Sequence, residues 1–352
     1  MTGLDTARLA LAAFRAFGRA PEGLSRSLMR VGADVVWLSR GGGVRQLEAN
    51  LRVARPEASE RELRRLSRAG MRTYFSYFAE AFALPRLTSE QVEARVRVVG
   101  AGPLLEACGQ GRPVVLALGH QGNWDLAGAW ATVHLAPVTT VAERLDPPEV
   151  FAEFLRLREA IGLTVIPLDS GQDVFRRLIA AVKRRDVLVP LIADRDLTAR
   201  GVEVDLLGRR ARVAAGPAAL AVAGDAMLVP TTIRHERLRG PRRRAAGSPW
   251  GIVVTFHPAV PVPTDVPRAE RVAVMTQTWV DALGADIARH PTHWHMLQKV
   301  FVEHLDPARY AATVGTADGA SGDAEPPAAS VREFARESAS ASVPASVPEG
   351  SA

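Results

Sequence analysis

The segment Pro113–Asp125, PVVLALGHQGNWD, constrains the fold more than any other. Apolar residues run from Pro113 to Leu118, with the length and composition of a buried strand. Gly119 breaks the run, Asn123 is a favoured helix N-cap, and Asp125 suits the positive end of a helix dipole. Strand, glycine-bearing turn and helix therefore follow one another, with His120 in the turn. On one continuous helix, five residues would set His120 and Asp125 about 140° apart. They can meet if His120 lies in the turn and Asp125 in the first helical turn. A carboxylate bonded to one imidazole nitrogen makes the other a better general base. On these residues alone, a capping Asn, a first-turn Asp and an incidental His explain the stretch equally well.

The 352 residues, 47% of them hydrophobic, suffice for one large domain with appendages. No run of 18 apolar residues exists, which argues against a membrane-spanning helix. Asp5, Arg8 and Arg15 make the N-terminus a poor signal peptide. A single cysteine, Cys108, excludes an internal disulfide and a cysteine-rich metal site, and an intracellular protein is expected. The net charge is +6, but Asp318–Ala352 holds six acids and two arginines, so the rest carries +10 by subtraction. Only Lys183 and Lys299 are lysines; arginine supplies nearly all of the positive charge. Such a body favours anionic partners, namely phospholipid headgroups, nucleic acid or phosphorylated cofactors.

Residues 6–20 predict a basic amphipathic helix and residues 22–40 a second apolar one. Helical periodicity continues over 43–54 and 58–82. Beyond Val96–Val99, a strand, the pattern alternates: helices at 124–134, 148–161, 172–184 and 216–224, strands at 113–118, 139–141, 164–167, 187–192 and 227–233. A strand over 251–257 and a helix over 267–288 complete it. This predicts an α/β domain, a central mixed sheet flanked by helices on both faces, with N-terminal amphipathic helices. The expected division is 1–42 as membrane-contacting helices, 43–312 as the main domain and 313–352 as a disordered tail. The arginine-rich stretch 234–249 reads as a basic loop, either solvated or facing anionic lipid.

Asp194-Arg195-Asp196 lies at the end of an apolar strand, where α/β sheets place ligand groups. It reads as a phosphate- and hydroxyl-binding cluster or as a surface ion-pair group. Glu143, after another strand, and Arg158, on the next helix, are candidates for the same cleft. His290, His293 and His295 raise a metal site, but no HExxH pattern or cysteine accompanies them and none is expected. No G-x-S-x-G elbow or phosphate-loop motif occurs, so a covalent enzyme intermediate has little support.

Taken in order, His120-Gln-Gly-Asn-Trp-Asp125, Glu143-Arg-Leu, Asp194-Arg-Asp-Leu-Thr, Gly201-Val-Glu-Val-Asp and His293-Trp-His-Met-Leu-Gln298 resemble one family. The chain is similar, over residues 20–305, to actinobacterial phosphatidylinositol mannoside acyltransferases of the lipid A acyltransferase-like group. The resemblance implies transfer of a fatty acyl chain, typically palmitoyl, from acyl-CoA to a mannose hydroxyl, by a peripheral enzyme at the cytoplasmic face of the plasma membrane. Acyl-CoA is then a co-substrate, with no cofactor. The expected partners are a glycolipid acceptor and an anionic membrane surface, with no nucleic acid, and the enzyme is expected to be a monomer. His120 is implied as the base and Asp125 as the group that orients it. Asp194 stands at a position often occupied by Glu. Glu143, Arg158, Arg195, Asn123, Trp124, His293 and His295 are implied as substrate-binding. After Gln298 the chain reads Lys299-Val-Phe, where close relatives have Pro-x-Trp. Another acceptor, a lysophospholipid or a different glycolipid, or a non-catalytic lipid-binding role, stands as the alternative.

Overall fold

The computed structural model describes residues 20–143, 148–168, 173–198, 200–308 and 310–311. The predicted helix over 6–20 and the predicted tail fall largely outside these residues. Three helices come first: α1 (Glu22–Ser39), α2 (Gly42–Ala54) and α3 (Glu60–Ala83). Ser59 caps α3 with a reciprocal bond to Glu62, which fixes where the helix starts. Ala33, Trp37, Leu47, Leu51, Leu63 and Met71 join the three helices through one apolar cluster.

The remaining elements are α4 (Ser89–Arg95), β1 (Val96–Val99), α5 (Gly102–Gly109), β2 (Val114–Leu118), α6 (Trp124–His134), β3 (Thr139–Glu143), α7 (Pro148–Ala160), β4 (Thr164–Leu168), α8 (Asp173–Lys183) and β5 (Leu188–Ile192). They continue with β6 (Val202–Leu206), β7 (Arg209–Val213), α9 (Gly216–Gly224), β8 (Met227–Arg237), α10 (Gly240–Ala246), β9 (Trp250–Phe256) and α11 (Arg268–Arg289). The main sheet has the order β1-β9-β8-β2-β5. β2 runs parallel to both neighbours, β8 and β5, whereas β8 and β9 are antiparallel, so the sheet is mixed as expected. Parallel strands buried on both faces explain why β2 reads as continuous Val-Val-Leu-Ala-Leu rather than alternating.

Alternate residues of β2 enter different cores. Val115 and Ala117 pack with Trp279, Val280 and Leu283 of α11 and with α8 and α9. Val114, Leu116 and Leu118 pack with Leu104 of α5 and Leu126 and Trp130 of α6. The sheet is therefore covered on both faces, and β2 lies in its interior.

Three predicted features change. β3 and β4 form their own parallel pair rather than joining the main sheet. Residues 202–213, where the sequence predicted no element, form an antiparallel hairpin of β6 and β7. The 234–249 stretch is not a loop: β8 extends to Arg237 and α10 follows. It is pinned by buried Leu238 and Ala246, and Arg95 donates to the Ala246 carbonyl at 3.0 Å.

Candidate active site

The parallel register pairs Leu118 of β2 with Ile192 of β5. Two residues on, this brings His120 beside Asp194, although 74 residues separate them in the chain. The Ala193 amide donates to the Leu118 carbonyl at 2.8 Å and locks the two strand ends together. Both residues lie beyond the carboxyl ends of adjacent parallel strands, where α/β sheets open their crevice.

Asp194 is fully buried and accepts three hydrogen bonds. Its Oδ1 lies 2.6 Å from His120 Nδ1, and Oδ2 accepts the His120 amide at 2.9 Å and the Trp294 indole N–H at 2.8 Å. Burial pushes its carboxyl up, but the His120 charge and these bonds outweigh burial and leave it below its ordinary value. An ionised carboxylate only accepts, so Nδ1 carries the proton and Nε2 is the basic nitrogen. The His120 side chain is 39% exposed while its partner is sealed, the arrangement a base needs to meet substrate.

Two glycines make room for this loop. A Cβ on Gly119 would come within 3.1 Å of Asp194 Oδ2 and 2.9 Å of Leu283. Gly122 has φ +59, and a Cβ there would strike Ile233 at 2.6 Å. The loop is also zipped to the 293–295 segment: the His295 amide donates to the His120 carbonyl at 2.7 Å and the Gly122 amide to the His293 carbonyl at 3.2 Å.

The expected pairing of His120 with Asp125 is corrected here: the carboxylate on Nδ1 is that of Asp194. Asp125 is buried inside the first turn of α6, where its oxygens serve α3 and α7. Its Oδ2 accepts the Tyr77 hydroxyl at 2.6 Å and its Oδ1 the Arg158 Nε–H at 2.9 Å. Burial lowers the Arg158 pKa, but the Asp125 charge and hydrogen bonding outweigh it and hold the guanidinium above its ordinary value. Burial and the Asp125 charge together push the Tyr77 phenol well up.

Asn123 caps α6 as predicted, its Oδ1 accepting the Leu126 amide at 2.9 Å. Its amide nitrogen donates to Glu80 at 2.8 Å. Glu80 on α3 also accepts from Arg26 of α1 at 2.9 Å and meets His235 Nε2 at 3.2 Å. Burial raises Glu80, but His235 and Arg26 outweigh it and hold the carboxyl well below the usual range. Trp124 stacks obliquely on Tyr77 with ring centres 4.3 Å apart and lies edge-on to His120 at 6.3 Å.

The remaining candidates divide. Arg195 Nε donates to the Lys299 carbonyl at 3.0 Å, which fastens two loops. Glu143 ends β3. His293 sits beside His235 with ring centres 5.7 Å apart, and His295 beside Tyr74 at 5.6 Å. Burial, then neighbouring positive charge, lowers His293 to about 3 and takes His295 well below its ordinary value, so both are neutral imidazoles. Among the described residues, no three His, Cys, Asp or Glu side chains converge as metal ligands, and no helix is long and apolar enough to cross a membrane.

Tyr77, Glu80, Trp294 and His235 were not singled out from the sequence. Glu80 had a signal, a lone carboxylate within the apolar run Tyr77-Phe-Ala-Glu-Ala-Phe-Ala83. The other three are indistinguishable from core residues until the sheet register is known.

The family model of bacterial lipid A biosynthesis acyltransferases matches residues 4–303. The chain belongs to that family. It is an acyltransferase of lipid biosynthesis. It is 35% identical over 293 residues to the phosphatidylinositol mannoside acyltransferase of Mycolicibacterium smegmatis, covering 83% of this chain and 90% of that one. It is 36% identical over 295 residues to the enzyme of the same name from Mycobacterium tuberculosis, covering 83% and 87%. The acyltransferase assignment thus spans the helical layer, the sheet and the His120 loop alike.

Proposed function

We propose that this acyltransferase moves a fatty acyl group, palmitoyl first among them, from acyl-CoA to a mannose hydroxyl of a phosphatidylinositol mannoside. It works as a peripheral enzyme at the cytoplasmic face of the membrane. The names of its relatives support the acceptor, and the His120–Asp194 pair supports the chemistry. One contact carries most weight: a sealed carboxylate 2.6 Å from Nδ1 of a histidine whose ring remains open.

Both substrates bind together. His120 Nε2 takes the hydroxyl proton as the sugar oxygen bonds to the thioester carbonyl carbon. The tetrahedral adduct collapses, the C–S bond breaks, and the imidazolium returns its proton to the departing sulfur. Asp194 stabilises the imidazolium throughout. General-base assistance of this kind contributes about 10²–10⁴-fold. Leu126 already spends its amide on Asn123, which leaves the Trp124 and Asp125 N–H groups at the positive end of α6 to meet the oxyanion. Arg158, tethered through Asp125, brings positive charge for the acceptor's phosphate, and Glu143 shapes the acceptor side.

The test is mass-spectrometric detection of acylated product from palmitoyl-CoA and purified phosphatidylinositol mannoside. His120→Ala should lose product at least about 10²-fold with an unchanged circular dichroism spectrum. Full activity in that variant overturns the mechanism. Acylation of a lysophospholipid in place of the mannoside keeps the mechanism and replaces the acceptor.

A further inference from the structure

Glu80 is a carboxylate in the buried part of α3, 5% exposed, with Ala79 and Ala81 on either side of it at 1% and 0%. Its two oxygens face different parts of the molecule. Oε1 accepts from Arg26 of α1 at 2.9 Å. Oε2 accepts the Asn123 amide N–H at 2.8 Å and lies 3.2 Å from His235 Nε2 of β8. Enclosing an ion pair adds little net stability, because desolvation offsets the attraction, and apolar side chains fill such a space as well. What the carboxylate supplies is direction.

Direction matters at Asn123, which is fully buried and joins the His120 loop to α6. The two ends of a side-chain amide have nearly the same shape and opposite hydrogen-bonding character. Only the oxygen end can cap the Leu126 N–H, which it does at 2.9 Å. Turned over, the amide would aim its own hydrogens at that N–H. An ionised carboxylate accepts and never donates, so Glu80 takes the nitrogen end and forces the oxygen onto Leu126. The turn capped in this way begins with Trp124, which lies edge-on to His120. Asp194 holds the His120 amide and the His293 carbonyl holds the Gly122 amide, so Glu80 fastens the last residue of a loop whose earlier residues are already pinned.

We infer that Glu80 is a positioning residue for acyl transfer, which sets the first turn of α6 against His120 by orienting the Asn123 amide. It acts through Asn123 rather than on the reacting atoms. The inference rests on the proposed reaction, in which the N–H groups of that turn meet the oxyanion. Misplacing such a group by about 1 Å costs on the order of 10²-fold in rate.

The experiment is steady-state acylation by variants of the full chain, with palmitoyl-CoA and phosphatidylinositol mannoside, kcat being corrected for the folded fraction. Glu80→Met fills the space without an acceptor. Asn123→Ser keeps a capping oxygen, drops the bond to Glu80 and leaves Arg26 and His235 in place. Each should lower kcat by about 10–10²-fold and leave KM for both substrates near the parental values. The double variant should lose no more than the worse single one, because both changes cut the same link. Arg26→Met removes the outer ion pair alone and should lower the urea midpoint while kcat stays near parental. A parental kcat in Glu80→Met or Asn123→Ser overturns the inference. So does a double variant whose losses multiply, or an Arg26→Met loss of kcat equal to that of Glu80→Met. Should Glu80→Met fail to fold, Asn123→Ser decides by the same criterion. His120→Ala in the same assay separates the two readings. Activity there removes the proposed base, whereas loss there beside a parental Glu80→Met removes only the role of Glu80.

Discussion

Asp194 and Asp125 flank the same short loop, are equally buried at 0% and 1%, and carry the same functional group. Their partners set them apart. Asp194 faces a histidine, a backbone amide and an indole, so among the described residues the one titratable side chain it bonds is the proposed base. Asp125 faces a tyrosine and an arginine, a cation that never releases its proton. One carboxylate sets the state of a base; the other ties α3 and α7 to the first turn of α6. Burial alone identifies neither role.

The comparison breaks most sharply in the rate. Asp194→Asn should lower kcat by about 10²–10⁴-fold, because the neutral amide no longer holds the Nδ1–H tautomer or stabilises the imidazolium. Its KM for acyl-CoA should change little. A near-parental kcat would move Asp194 out of the mechanism. Asp125→Asn should show the reverse emphasis, a loss of stability of about 3 kcal/mol by urea denaturation, because Arg158 is left with an uncompensated buried charge. A stable Asp125→Asn variant with a collapsed rate would restore Asp125 to the role of His120's partner.

Acid sharpens the contrast. His293 is held neutral, lowered to about 3. The unfolded chain therefore binds more protons than the folded one between that value and the ordinary histidine pKa near 6.5. Stability is full above about 6.5 and falls as the pH drops. His293→Asn should flatten the decline between pH 7 and 5 by roughly 2 kcal/mol, read from urea midpoints. Asp194 and Glu80, both depressed, add a second loss that begins only below the ordinary carboxyl range, about 4. The smallest effect belongs to Tyr77→Phe. It removes one hydrogen bond to Asp125 and should cost about 1 kcal/mol in stability.

Much of this architecture is legible in the sequence because it is local. Pro113–Leu118 announces a buried strand, Asn123 a cap, and Ser59 with Glu62 the start of α3, each within a few residues. Even α4, which periodicity missed, carries a readable signal in the Thr88–Gln91 capping box. The partner of His120 is not local. Asp194 reaches it through strand register, fixed by how β2 and β5 bury their two faces, and nothing near His120 encodes that choice. Asp125, five residues away, was the nearer carboxylate in the chain, but helix geometry turns it toward Tyr77 and Arg158. The arginines of 234–249 misled in another way. Charge and Pro/Gly content suggested a loop, while buried Leu238 and Ala246 pin a helix that Arg95 of α4 holds by the Ala246 carbonyl.

The most direct measurement is the ¹⁵N NMR spectrum of the His120 ring in the parent, Asp194→Asn and Asp125→Asn. A neutral His120 protonated at Nδ1, with that tautomer lost in Asp194→Asn and retained in Asp125→Asn, is the predicted result. A parent ring protonated at Nε2, or one that responds to Asp125 and ignores Asp194, would contradict the account.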